Sequence, residues 1–213
     1  MHAPDELRFQ AGRTQLSAIL DVPGSARALV IFAHGAGSSR LSPRNARVAA
    51  YLRSTGEFGT LLFDLLTAEE DRTYANRFDI DLLAQRLVIA TRWARAQDCC
   101  GGFRVAYFGA STGAAAALHA CVELPDEVSA VVSRGGRPDL AGSALAHVQV
   151  PVLLIVGGAD ETVLWLNESA RKRIPAPTEL EIVPGATHLF EEPGALEQVQ
   201  GLTLRFLQRQ LAA

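Results

Sequence analysis

Apolar and polar positions fall into two kinds of block along this chain. Continuous apolar runs occur at Ala28–Ala33, Thr60–Phe63, Val105–Phe108, Ala130–Val132, Val152–Val156 and Leu180–Val183. Short runs of this kind are expected of strands covered on both faces. Between them, Ile80, Leu83, Leu87, Ala90 and Ala94 recur at three- and four-residue spacing, as do Leu196, Val199, Leu202 and Phe206. Each stripe predicts a helix with one buried face. Ser42-Pro43 ahead of Arg44–Ser54 predicts another, opened by a capping serine and a first-turn proline. Residues 5–10 and 14–20, around Ala11-Gly12-Arg13, predict an antiparallel hairpin. The whole reads as about eight strands, the last six each followed by a helix or loop. That alternation implies βαβ units and a mostly parallel sheet with helices on both faces. We expect one α/β domain over residues 1–213, with no internal repeat, low-complexity stretch or linker.

In a sheet of this kind functional groups gather at the carboxyl ends of the strands. Gly109-Ala110-Ser111-Thr112-Gly113 follows the strand at 104–108 and precedes the helix-forming run Ala114–Leu118. This is G-x-S-x-G between a strand and a helix, the setting of a nucleophile elbow. The turn is too sharp for side chains two residues either side of the serine. The helix amino terminus behind Ser111 would favour a developing oxyanion. A bland alternative is a glycine-rich turn whose serine caps the helix; the flanking strand and helix favour a catalytic Ser111.

A serine hydroxyl needs a general base near neutral pH. Of the five histidines, His2 lies at the terminus and His34 in a glycine-rich loop. His119 is two helical turns from Ser111 on the wrong side, and His147 stands at the amino end of a strand. His188, in Pro184-Gly-Ala-Thr-His-Leu-Phe190 after the last strand, fits both chain order and place. Asp160, which closes Val156-Gly-Gly-Ala-Asp160, is the expected carboxylate that orients it. Glu161 and Asp139 are its rivals, and Asp160 could also serve as a helix cap.

His34-Gly35-Ala36-Gly37-Ser38-Ser39 follows the strand at 28–33. An amide of this loop, that of Ala36, is expected to join the Thr112 amide in an oxyanion hole. His34 then shapes the loop and moves no proton. A phosphate-binding loop is the rival reading, but neither G-x-G-x-x-G nor G-K-[ST] is present. Arg40, Arg44, Arg134 and Arg137 could each receive a substrate carboxylate or phosphate. Their structural alternative is pairing of Arg134 or Arg44 with Asp64, Glu69 or Glu70. Leu65, Leu66, Trp165 and Phe190 are apolar candidates near the site.

Bulk properties narrow the setting. Net charge is −3 over 213 residues, without the clustered basic face that nucleic acid or an anionic membrane would attract. Cys99, Cys100 and Cys121 are no disulfide framework and suit a reducing cytoplasm. No signal peptide and no apolar run of about 18 residues is seen.

Taken together, Phe32–Ser39, Gly109–Gly113, Val156–Asp160 and Gly185–His188 resemble the α/β-hydrolase superfamily, and more narrowly its dienelactone hydrolase-like branch. The resemblance runs from about residue 28 to the end and implies a cofactor-free, metal-free enzyme that cleaves esters or lactones. Dienelactone hydrolases proper use a cysteine nucleophile. Ser111 in its place points to a more general carboxylesterase. Many relatives carry a cap domain between the strands flanking residues 133 and 150; the interval here is too short, so an open site and small soluble substrates are expected. A non-catalytic ligand-binding protein and a perhydrolase or acyltransferase on the same triad are the alternatives. Neither a nucleic-acid nor a membrane partner is expected, and the chain would be a monomer or homodimer.

Overall fold

A computed structural model describes residues 6–211; His2 and the first residue of the expected hairpin lie outside the described residues. The hairpin is β1 (Glu6–Ala11) and β2 (Thr14–Asp21), paired antiparallel with Phe9 opposite Leu16. There follow β3 (Ala28–Ala33), α1 (Pro43–Ser54), β4 (Phe58–Phe63), α2 (Ile80–Arg95), β5 (Arg104–Ala110), α3 (Thr112–Glu123), β6 (Val128–Arg134), β7 (Val152–Gly157), α4 (Glu161–Arg171), β8 (Thr178–Val183) and α5 (Ala195–Leu211). The sheet order is β1-β2-β4-β3-β5-β6-β7-β8. β2 meets β4 antiparallel, and every pairing from β4 to β8 is parallel.

The uninterrupted apolar strands divide their side chains between two cores. Leu29, Ile31, Val105, Tyr107, Val152 and Leu154 point into one, packed by α2 and the alanine-rich α3. Val30, Phe32, Ala106, Phe108, Leu153 and Ile155 point into the other, packed by α5 and by α1 residues Val48, Ala49 and Leu52. Each large side chain so buried contributes about 1.5–3 kcal/mol. The helix starts follow their caps: Ser42 accepts from the Asn45 N–H, and Asp79 from the Leu82 N–H, opening α1 and α2. The buried hydroxyl of Tyr107 is satisfied by Thr91 at 2.7 Å.

Several strands run past their apolar runs. β4 starts at Phe58-Gly59, and β6 extends from Val128 to Arg134. Between β6 and β7 the chain makes only a 3-10 segment at Pro138–His147, kinked at Gly142, so no cap domain stands over the site. No described helix is long and apolar enough to cross a membrane.

Candidate active site

Ser111 occupies the sharp turn between β5 and α3 with φ 51° and ψ −121°. A non-glycine residue there holds about 1–3 kcal/mol of backbone strain. The surroundings fix it. The Ser111 N–H donates to Arg134 O at 3.3 Å, and Ser111 O accepts from the Ala114 and Arg137 N–H groups at 3.1 Å each. The two pattern glycines are needed for close approach: a Cβ on Gly109 would stand 2.4 Å from Ala114 Cα, and one on Gly113 2.2 Å from Ala33 O. The loop after β3 therefore lies directly against the elbow.

The loops after β7 and β8 are joined to each other. Gly158 N–H donates to Val183 O at 2.8 Å and Ala159 N–H to Ala186 O at 2.9 Å. This junction brings His188 Nδ1 within 2.8 Å of Asp160 Oδ2. The other oxygen of Asp160 accepts from the Val163 N–H at 3.4 Å, capping α4. One carboxylate thus meets both the imidazole and the helix start. Glu161 is exposed, and Asp139 is held bidentate by Arg137 at 2.8 Å. With Nδ1 engaged, Nε2 is the imidazole nitrogen left for proton transfer. Gly135, two residues before the Arg137 N–H that holds Ser111, sits against His188: a Cβ there would lie 3.6 Å from Nδ1. No hydrogen bond joins Ser111 Oγ to His188 among the described residues. Such bonds often tighten only with substrate bound.

Ala36 and Thr112 line one narrow cleft with His34, Gly37, Leu65 and Arg77. His34 is buried, and the Leu65 N–H donates to its Nε2 at 3.0 Å. Its proton therefore sits on Nδ1, which donates to Gly35 O at 2.9 Å. The ring ties the loop after β3 to the chain after β4. Burial pushes its pKa below the ordinary histidine value. In the unfolded chain it protonates near pH 6.5, so the unfolded state binds the extra proton first. Stability is then expected to fall as pH drops through that value. The test compares Tm at pH 7.5 and pH 5.5 for the native protein and His34→Gln; the variant's pH-dependent loss should be smaller.

The arginines distribute differently from expectation. Arg40 is taken by Asp64 at 2.5 Å and Glu6 at 2.6 Å, and Arg44 by Glu191 at 2.8 Å. Glu70 pairs with Arg86 at 2.7 Å. Arg134 has no carboxylate partner among the described residues. It is 5% exposed, donates to Asn45 Oδ1 at 3.1 Å and lies 5.8 Å from the Phe190 ring centroid. Burial, helped by repulsion from Arg44, pushes its pKa down to about 10, which leaves it charged at neutral pH. Neither Arg134 nor Arg44 pairs with Asp64, Glu69 or Glu70 among the described residues, and other arginines fill Asp64 and Glu70. Arg40 is thus held between two carboxylates, whereas the buried Arg134 leaves its Nε without a hydrogen-bond partner among the described residues. Leu65 lines the cleft, and Phe190, at φ 55°, lies buried beneath the His188 loop. Trp165 is 65% exposed on α4, off the buried Val163–Asn167–Ala170 stripe.

Two contributors escaped the pattern analysis. Arg77 grips Asp71 through Nε and Nη2 at 2.9 and 2.8 Å, and its Nη1 stands 3.5 Å from the place a Gly37 Cβ would take. Asn167, fully buried inside α4, donates to Gly136 O at 3.0 Å and fixes the turn beside His188. A buried asparagine within a helix is unfavourable unless it bonds elsewhere, and that was its signal. Arg77 had none, since its place depends on the fold of the segment at 64–79.

No family model matches the sequence. Over 198 residues it is 56% identical to a protein of Mycobacterium tuberculosis provisionally named a phosphoribosyl transferase, across 93% of this chain and 44% of that protein. The chain therefore spans less than half the length of these curated relatives. The fold superposes on the crystal structure of a dienelactone hydrolase from Anabaena variabilis with a TM-score of 0.93 and 50% identity, covering 99% of this chain and 100% of that one. It also matches a lidless α/β serine hydrolase from Xanthomonas campestris, at a TM-score of 0.80, 23% identity and coverage of 99% and 96%. The latter likeness is one of fold alone.

Proposed function

We propose that this chain, which belongs to the dienelactone hydrolase family of α/β-hydrolases, is a single-domain serine hydrolase that cleaves carboxylic esters or lactones of small soluble substrates. The observation that carries the reading is the 2.8 Å pairing of His188 with Asp160 beside a strained serine elbow. Ser111 Oγ attacks the carbonyl carbon while His188 Nε2 takes its proton. Asp160 stabilises the imidazolium through Nδ1. The amides of Ala36 and Thr112 receive the oxyanion. The leaving alcohol departs with the histidine's proton, and water, activated by His188, then releases the acid from Ser111. No step calls for a cofactor or metal. Action in the cytoplasm fits the three free thiols. Phosphoribosyl transfer, the activity in the mycobacterial relative's name, belongs in this reading to the part of that protein beyond the match.

The test is labelling by a fluorophosphonate probe together with turnover of short p-nitrophenyl esters. Labelling with turnover supports hydrolysis. Labelling without turnover favours a ligand-binding protein on this fold, and turnover only with an acyl acceptor other than water favours an acyltransferase.

Arg77 refines the substrate class. Its free Nη1 beside the oxyanion loop suits esters that carry an anionic group near the carbonyl. Arg77→Leu is expected to raise KM for such esters about tenfold, at the low end for a lost charged hydrogen bond because Asp71 already neutralises part of the cation. Neutral esters serve as the control and should change little.

A further inference from the structure

Two thiols stand apart from the triad. Between α2 and β5 the chain makes a 3-10 turn at Asp98–Cys100. This is the amino end of β5, the opposite end of that strand from Ser111. Cys99 is exposed and Cys100 is buried, and their sulfurs lie 3.8 Å apart. The third thiol, Cys121, is buried in α3 and donates to Leu118 O instead.

At 3.8 Å the two sulfurs are in van der Waals contact, so a small side-chain rotation brings both onto one bridging atom. Soft centres are the ones that choose sulfur over oxygen. A closed zinc shell would need four ligands, and no group of three or more histidine, cysteine or acidic side chains among the described residues could supply it. A trivalent organoarsenical asks for only two protein ligands, since its organic group fills the third valence. Protonation also favours it. Burial and the adjacent thiol push the Cys100 pKa up to about 12, so a cation that must expel both thiol protons into solvent is handicapped. An arsenous hydroxyl carries each proton away as water.

We propose that Cys99 and Cys100 form a vicinal dithiol site for trivalent organoarsenicals of the type R–As(OH)2. The exposed Cys99 Sγ attacks first: an As–S bond forms, an As–O bond breaks, and hydroxyl and thiol proton leave as water. Cys100 Sγ, already in contact with Cys99, repeats the exchange and closes the ring. Two thiols and one R–As(OH)2 give one cyclic dithioarsenite and two waters. Arsenic stays trivalent and no electrons change hands.

Phenylarsine oxide and intact-protein mass spectrometry test this. One arsenical per chain is expected, with the mass of two waters lost, persisting in excess 2-mercaptoethanol and reversed by dithiothreitol. Joining the second thiol to the first makes closure intramolecular, so Cys99→Ser should hold the probe about 10²–10⁴-fold more weakly. Cys121→Ser and Ser111→Ala should bind like the native protein, the latter separating this site from the triad. Cys99 lies on the surface, so its variant leaves the core intact and bears the test alone if Cys100→Ser fails to fold. Adduct stripped from the native protein by the monothiol, or retained undiminished in Cys99→Ser, overturns the proposal.

Discussion

Ser111→Ala is expected to lower ester turnover by about 10⁴–10⁶-fold while leaving the fold intact. The loss is large because the hydroxyl has no understudy: Thr112, the neighbouring hydroxyl, is buried at 2% exposure. A residual acceleration of about 10³–10⁴ over water should survive from the oxyanion amides and substrate binding. The backbone at this position adds a second, independent readout. At φ 51° and ψ −121° the serine carries strain, and alanine carries the same strain, so Ser111→Ala should melt near the native temperature. Glycine tolerates that conformation. Ser111→Gly should therefore be equally inactive yet more stable, by about 1–3 kcal/mol less the entropy that glycine gains in the unfolded chain. Calorimetry and p-nitrophenyl ester kinetics on the three proteins decide the matter. Turnover by Ser111→Ala within tenfold of native would end the nucleophile assignment. A melting temperature for Ser111→Gly at or below that of Ser111→Ala would mean the strain is not stored there.

The elbow was legible because it is a local device. Strand, two glycines and helix lie within twenty residues, and each is forced by sterics that one short stretch reveals. The apolar strands were legible for the same reason, although their ends were not. β6 continues through Ser133 and Arg134, which look like loop residues but are drawn into the ladder by Gly109 and Ala110 opposite them. The arginines were illegible for a different reason. Arg44 finds Glu191 across 147 positions and Arg40 finds Glu6 across 34, partners that exist only once the sheet has ordered its strands. Arg134 is the extreme case. A buried guanidinium without a carboxylate costs several kcal/mol in desolvation, yet its main-chain oxygen holds Ser111 and its side chain lies against Phe190 beneath the histidine loop. Its position touches both the serine turn and the histidine loop, which sequence spacing alone could not reveal.

Asp160 carries two readings from sequence, helix cap and carboxylate orienting His188, and its variants separate them. Asp160→Asn keeps an N-cap as good as aspartate, so the bond to the Val163 N–H survives and the melting temperature should move little. The amide, however, cannot hold His188 in the tautomer that leaves Nε2 free as a base, nor stabilise the imidazolium. Turnover should fall by about 10⁴-fold. Asp160→Ala should lose as much activity and, in addition, about 1 kcal/mol of stability as the cap is removed. Glu161→Gln, one residue on and exposed, should alter neither quantity. Both effects act through one carboxylate with two oxygens on different partners, 2.8 Å from His188 Nδ1 and 3.4 Å from the Val163 nitrogen. Near-native turnover in Asp160→Asn, or a comparable loss in Glu161→Gln, would transfer the orienting role away from Asp160. Equal stability of the asparagine and alanine variants would remove the cap from the account while leaving the catalytic assignment standing.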